Sequence, residues 1–305
     1  VNPGRNVTDP VPAVPPRPPS LRWRAVLALL ERLPQAALSR AFGRVADLPV
    51  PRPLRRSIIG GFARAVGIDV AEAEHDVAEY RSINEFFVRR LRPGLRRWPD
   101  DPAAVASPVD GVIGRHGTVA DGRLIQAKGR YYSAADLLSG TDASRWEGGI
   151  FITIYLSPRH CHRIHAPVGG TIPSAVHVPG ALLPVNAPAV AHVPDLFPRN
   201  ERVACFIDAA VGRVAVVAVG AYNVGRISTA FDPGWAGPGV PVSNRRGIAA
   251  PQHRAYSPPL RIGCGDELMA FHLGSTVILL LEPGARVTAA PPGTEVRIGS
   301  VVARR

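Results

Sequence analysis

Lysine is almost missing from this chain of 305 residues: Lys128 is the only one, and the remaining basic residues are arginines. That bias fits a GC-rich genome better than a special role for arginine. Cysteine occurs three times, at Cys161, Cys205 and Cys264, an odd number at wide spacing. Neither a disulfide framework nor a CxxC metal site follows, and a reducing compartment is expected. Aromatics make up only 6% of the chain, which weighs against stacking platforms for single-stranded nucleic acid. No apolar run approaches the ~18 residues that span a bilayer; the longest, Ala25–Leu30 and Thr276–Leu281, are core-sized. Residues 1–20 hold seven prolines and no apolar h-region, so they read as a disordered leader rather than a secretory signal.

Hydrophobic residues reach 46% and charged residues 20%, enough for a sizeable core and too apolar for global disorder. Gly and Pro, 30 and 32, are about a fifth of the chain against a usual share near 12%, which points to turns between short strands. The net charge of +12 asks for a polyanionic partner, nucleic acid or anionic lipid. Its location helps to choose, because residues 21–66 carry nine arginines against Glu31 and Asp47. Trp23, Val26, Leu27 and Leu30 recur at helical spacing, and helices are expected again over Gln35–Val45 and Leu54–Val66. Arginines beside Ile58, Ile59 and Phe62 suit a membrane interface; solvated arginines on a packed subdomain are the plainer reading.

Ser82-Ile83-Asn84-Glu85 is a capping box, and its helix is expected to stop at Arg92-Pro93-Gly94. Beyond Pro99 the texture is β: Val109–Gly117, Gly149–Leu156, Thr171–Val178, Val203–Ala209, Arg213–Val224 and Thr276–Glu282 are β-branched or alternating runs. Short helices interrupt near Ala134–Leu138 and Val193–Phe197. The expected class is α+β, an N-terminal amphipathic helical arm on a β-rich, barrel- or sandwich-like body. Its divisions are a leader over 1–20, a membrane-associating helical region over 21–98 and a catalytic domain over 99–305.

Histidine density peaks at His160-Cys161-His162-Arg163-Ile164-His165. Zinc would need a four-ligand set, and no second Cys or His cluster completes one. Histidines satisfied by loop backbone are one alternative, and proton transfer near neutral pH is another. Ser107-Pro108-Val109-Asp110-Gly111 places an acid at the head of a strand, where it could orient an imidazole. Leu273-Gly274-Ser275-Thr276 places a hydroxyl at the mouth of an apolar strand. Asp, His and Ser in that chain order can form a nucleophilic triad, although each short match alone is weak.

Together these segments resemble the bacterial, pyruvoyl-dependent phosphatidylserine decarboxylase family. The resemblance runs from about Ser82 to Glu282 and rests on Ser82–Gly94, Ser107–Ile113, Lys128–Ser133, His162–His165, Pro179–Asn186, Leu196–Arg202, Val219–Gly225 and Leu273–Thr276. Cys161 stands where the family usually has an aromatic, and Met269 where a glycine is common.

The resemblance implies a zymogen that cuts itself. Ser275 would attack the carbonyl of Gly274, and the resulting ester would eliminate to leave a pyruvoyl group derived from Ser275. The products are a β chain, 1–274, and an α chain, 275–305. His165 would deprotonate Ser275 with Asp110 holding the imidazole. Decarboxylation leaves electrons at Cα that need a sink, supplied through a Schiff base to the pyruvoyl ketone. His162 would return the proton. Pyridoxal phosphate, the rival cofactor, would demand an aldimine on Lys128, which the family reading does not need. No metal is implied. Phosphatidylserine is the implied substrate, with phosphatidylethanolamine and CO2 as products. The expected partners are an anionic membrane surface and the chain's own cleaved pieces, with room for a homodimer and no nucleic acid. The expected location is peripheral, on the cytoplasmic face of the bacterial cell membrane. A same-family decarboxylase of a non-lipid amino acid and a non-catalytic membrane-binding β-module are the alternatives.

Overall fold

The structure is a computed structural model; it describes residues 34–127, 129–222, 226–237, 240–272 and 275–305. The leader, the helix expected from Leu21 with Trp23, Leu27 and Leu30, and also Lys128 and Gly274 lie outside the described residues.

Helices Gln35–Asp47 and Arg55–Val66 form where the periodicity placed them. The first packs in an unusual sense. Its buried face is made of Ser39, Gly43 and Ala46, while Leu38, Phe42 and Val45, spaced for one face, are turned outward. Arg226 explains the small face: it lies over Gly43, where an added Cβ would meet its Nε at 3.0 Å, and it pairs with Asp47. The second helix buries Ile59 and Ala63 in a small core with Ile68, Ala73, Tyr80 and Phe86, separate from the main core; Phe62 touches both.

Ser82 caps helix Ile83–Phe87 by accepting from the Glu85 amide at 3.0 Å. The Glu85 carboxylate reaches back to the amide of Arg81 rather than to that of Ser82. This helix ends well before Arg92-Pro93-Gly94. From Arg90 the backbone is recruited into extended pairing with Glu72 and Glu74 around an Ala73–Leu91 bridge, which competes with further helix.

The body contributes, in chain order, β1 (Ala104–Ala106), β2 (Gly111–Thr118), β3 (Arg123–Ala127), β4 (Arg130–Ser133), β5 (Ile150–Leu156) and β6 (Arg163–His165). Next come β7 (Gly170–Val178), β8 (Arg202–Ala209), β9 (Gly212–Val219), β10 (Ile227–Thr229) and β11 (Gln252–Ile262). The last are β12 (Glu267–Phe271), β13 (Ser275–Leu281), β14 (Arg286–Val287), β15 (Glu295–Val296) and β16 (Val301–Arg304). An eight-stranded antiparallel sheet runs β11-β7-β8-β9-β13-β5-β2-β15, with smaller sheets β10-β12-β6, β1-β16-β14 and β3-β4 beside it.

The class is α+β as expected, but the body is no closed barrel, because among the described residues β11 and β15 remain as unjoined edges. Strand β13 lies inside the large sheet between β9 and β5, and each of its seven residues is buried. A continuous apolar run such as Val277–Leu281 is what a strand covered on both faces requires.

Two expectations fail here. Strand β9 ends at Val219 instead of Val224, because the chain leaves the sheet where the Gly220 amide bonds to the Glu201 carbonyl. The single short helix expected over Val193–Phe197 is replaced by two, Ala187–His192 and Leu196–Arg199. The first of these is capped by Asn186, which accepts from the Ala189 amide. The long strand β11 carries no alternating apolar signal and contains Pro258 and Pro259. Such prolines are tolerated at a sheet edge, where one side needs no donors.

Candidate active site

Ser275 is the first residue of β13 and stands opposite Leu156 of β5. It is buried, and its hydroxyl has no hydrogen-bond partner among the described residues. A buried polar group left unpaired costs about 1–3 kcal/mol, so its retention asks for a chemical reason. The residue borders a cleft of about 430 Å³. One wall is the helical arm, through Phe42, Phe62, Val66 and Phe87; the other holds Tyr155, Val185, Asn186 and Tyr222. Asn200 braces that second wall. Fully buried, it accepts from the Leu183 amide and donates to the carbonyls of Leu183 and Gly220.

His162 is fully buried. Its Nδ1 lies 2.9 Å from the His160 carbonyl, so Nδ1 carries the hydrogen and Nε2 the lone pair. Nε2 has no partner among the described residues, and the ring packs 4.0 Å from that of Phe87, a cleft residue. Burial pushes this imidazole down to about 3 and keeps it neutral. The His162 carbonyl accepts from the amide of Phe271, at the end of β12 nearer Ser275.

His165 sits at the other end of the short pairing, opposite Glu267. Its amide donates to Pro108, its ring faces Trp98 at 5.6 Å, and its Nδ1 is buried without a partner among the described residues. Burial lowers its pKa, partly opposed by the Glu267 charge.

Asp110 is held in an ion pair. Its carboxylate accepts from Arg96 Nε and Nη2 at 3.1 and 2.7 Å and from the Ile298 amide at 2.7 Å. Arg96 also grips Glu72, making a Glu72–Arg96–Asp110 cluster. Burial works against the guanidinium charge, but bonds to both carboxylates outweigh it and raise the Arg96 pKa. The fold therefore brings the Asp110 turn against the His165 strand by a backbone bond. Among the described hydrogen bonds, none joins Asp110 to His165 or either histidine to the Ser275 hydroxyl.

Sequence reasoning missed Arg96, whose 14-residue separation from Asp110 follows no helical or strand period. It also missed His272, three residues before Ser275. His272 Nδ1 lies 3.2 Å from Asn84 Oδ1 and its Nε2 3.1 Å from Ser228, while Asn84 donates to Asp47 at 2.7 Å. Burial and the Arg226 charge push this imidazole down to about 4. This chain of bonds ties the arm to the segment leading into Ser275. A histidine within the Phe-His-Leu-Gly-Ser-Thr run was the only signal available for it.

A family model described as phosphatidylserine decarboxylase matches residues 83–304. The phosphatidylserine decarboxylase proenzyme of Anaeromyxobacter sp. (strain K) is 45% identical over 279 residues, covering 90% of this chain and 96% of that protein. The proenzymes of Myxococcus xanthus and Bordetella petrii are 42% and 43% identical, over 86% and 88% of this chain and 90% and 93% of their own lengths. With a family model over most of its length and relatives aligned nearly end to end, the chain belongs to the phosphatidylserine decarboxylase family.

Proposed function

We propose that this enzyme converts phosphatidylserine to phosphatidylethanolamine and CO2 at Ser275, after cutting its own chain between Gly274 and Ser275. The observation that carries this reading is the buried Ser275 hydroxyl, without a partner among the described residues, at the head of β13 beside an apolar cleft, in a chain whose relatives are named as proenzymes. In the cut, Ser275 Oγ bonds to the Gly274 carbonyl carbon as the peptide C–N bond breaks. Loss of the Ser275 Cα proton then expels the Gly274 carboxylate, and water replaces nitrogen with oxygen, releasing ammonia. The residues present fit the resulting pyruvoyl group, because the position is enclosed yet borders the cleft. Its carbonyl supplies the sink for the electron pair left when CO2 departs.

His162 is suited to move the proton. A neutral imidazole with its Nδ1 hydrogen fixed by His160 presents the Nε2 lone pair. That nitrogen is the atom suited to deliver the proton to Cα once CO2 has gone. His165 is assigned to activation of Ser275 by similarity, with Asp110 as the residue that positions it. What supports this is the bond from the His165 amide to Pro108, beside a carboxylate whose negative charge favours the imidazolium. Arg96 holds that carboxylate still. The test is an assay of purified protein with phosphatidylserine vesicles. Phosphatidylethanolamine should form in proportion to the cleaved fraction of the chain; cleaved protein that forms none would overturn the reading.

The outward apolar face of Gln35–Asp47 supports a peripheral seat on the anionic, cytoplasmic face of the membrane. Phe42, Val45 and Leu48 are 50%, 64% and 61% exposed, Ile58 on the following helix is exposed too, and Phe42 also borders the Ser275 cleft. No helix among the described residues is long and apolar enough to cross a bilayer. Phe62, expected to enter the lipid, instead packs against both cores. Binding to anionic vesicles should weaken as salt shrinks the Debye length from about 10 Å at 0.1 M to about 3 Å at 1 M. A salt-resistant remainder should persist from the apolar face. Val45→Glu should abolish that remainder in co-sedimentation; unchanged binding would place the lipid surface elsewhere.

A further inference from the structure

A second cavity of about 360 Å³ adjoins the Ser275 cleft, the two sharing Tyr155, Val185 and Asn186. It lies on the opposite face of the sheet. Side chains alternate along β13, so Thr276 points away from Ser275, and its paired neighbours Tyr155 and Val112 share that direction. These three form the floor, and Val190, Ala191 and Phe197 form the roof.

The roof is built to hide its polar groups. Gln126 donates to the carbonyls of Val190 and Val193 and accepts from the Leu196 amide, so its whole amide is spent on backbone. Asn186 is occupied in capping the roof helix. What remains facing the space is mainly aliphatic groups and aromatic rings, those of Phe197 and Tyr155, bordered by Arg115 and the hydroxyls of Thr153 and Thr276. Several motif segments that the catalytic reading leaves without a task meet here, from Pro179–Asn186, Leu196–Arg202 and the strand leading to Lys128.

We propose that this cavity is an acyl-chain subsite. It takes one hydrocarbon chain of the phospholipid whose amine reaches Ser275, the molecule bending at the shared wall beside Tyr155. This rests on the phospholipid reading above. The enzyme would then draw part of its substrate out of the bilayer instead of reaching only for the headgroup. Chain length would be felt in KM, since each methylene buried in an apolar pocket strengthens binding several-fold.

The experiment fills the space. Val190→Trp and the milder Ala191→Leu are compared with the unaltered enzyme on long-chain and short-chain phosphatidylserine in detergent micelles. The ratio of kcat/KM for long over short chains should fall about tenfold in Val190→Trp, with the loss carried by KM, and by less in Ala191→Leu. An unchanged ratio overturns the proposal. An equal loss on both substrates also overturns it, and would make the cavity a headgroup site. Self-cleavage is read on the same samples. Should neither variant be cleaved, the unaltered enzyme decides by crosslinking with a photoreactive long-chain phosphatidylserine. Adducts on residues 187–191 support the subsite, and adducts confined to Phe42 and Phe62 sink it. Failure of the unaltered enzyme to make phosphatidylethanolamine would count against the proposed function, not against the cavity.

Discussion

Ser275→Ala is expected to yield a single uncut chain of 32.4 kDa with no decarboxylase activity above background, where the unaltered protein separates into pieces of roughly 29 and 3 kDa. Both losses have one origin. Without Oγ there is no nucleophile for the Gly274 carbonyl, and without the cut there is no carbonyl to accept electrons from the departing carboxylate. The substitution also separates chemistry from folding. Ser275 is buried at the head of β13 with a hydroxyl that bonds to nothing among the described residues. Removing an unpaired buried hydroxyl relieves a desolvation cost of order 1 kcal/mol, so the thermal midpoint should hold or rise slightly. Intact-mass spectrometry of the unaltered protein should find the small chain without a free amino terminus. An active enzyme with only the uncut mass would refute self-cleavage as the source of activity.

The second large effect divides the two histidines. His165→Ala should arrest cleavage, because a serine hydroxyl is a poor nucleophile without a base. His162→Ala should still cleave at least in part and then lose turnover by about 10²–10⁴, the usual contribution of a positioned acid–base group. The structure sharpens this test. His162 is bonded through its carbonyl to Phe271 and keeps Nε2 without a partner among the described residues; His165 lies opposite Glu267, farther along the same pairing. A gel of the two variants, with phosphatidylethanolamine assayed on the cleaved fraction, reads both steps. Normal cleavage by His165→Ala together with arrest in His162→Ala would reverse the assignment.

How far each expectation carried depends on the range of the interaction behind it. Ser82 and Glu85 lie within one turn, and the cap forms with Ser82 in its expected role. The apolar run after Ser275 has no way to be satisfied except inside a sheet, and β13 lies between β9 and β5. The helix over Gln35–Asp47 follows from spacing alone, but spacing could not say which face turns inward. Arg226, far along the chain, settles that by occupying the space above Gly43 and pairing with Asp47, which leaves the larger apolar face outside.

The same division runs through the site. The residue types offered Asp110, the histidines within 160–165 and Ser275 as an acid, imidazoles and a hydroxyl, and the family resemblance singled out Asp110, His162, His165 and Ser275 among them. Their partners are not visible in that way. Arg96 claims Asp110, Asn84 and Ser228 hold His272, and Asn200 braces the cleft wall, each across a separation without period. Period and composition thus determined which segments are helix or buried strand and which side chains can react. Only tertiary packing decided which face is buried and which carboxylate is already paired, because those depend on contacts between segments whose relative placement no local pattern encodes.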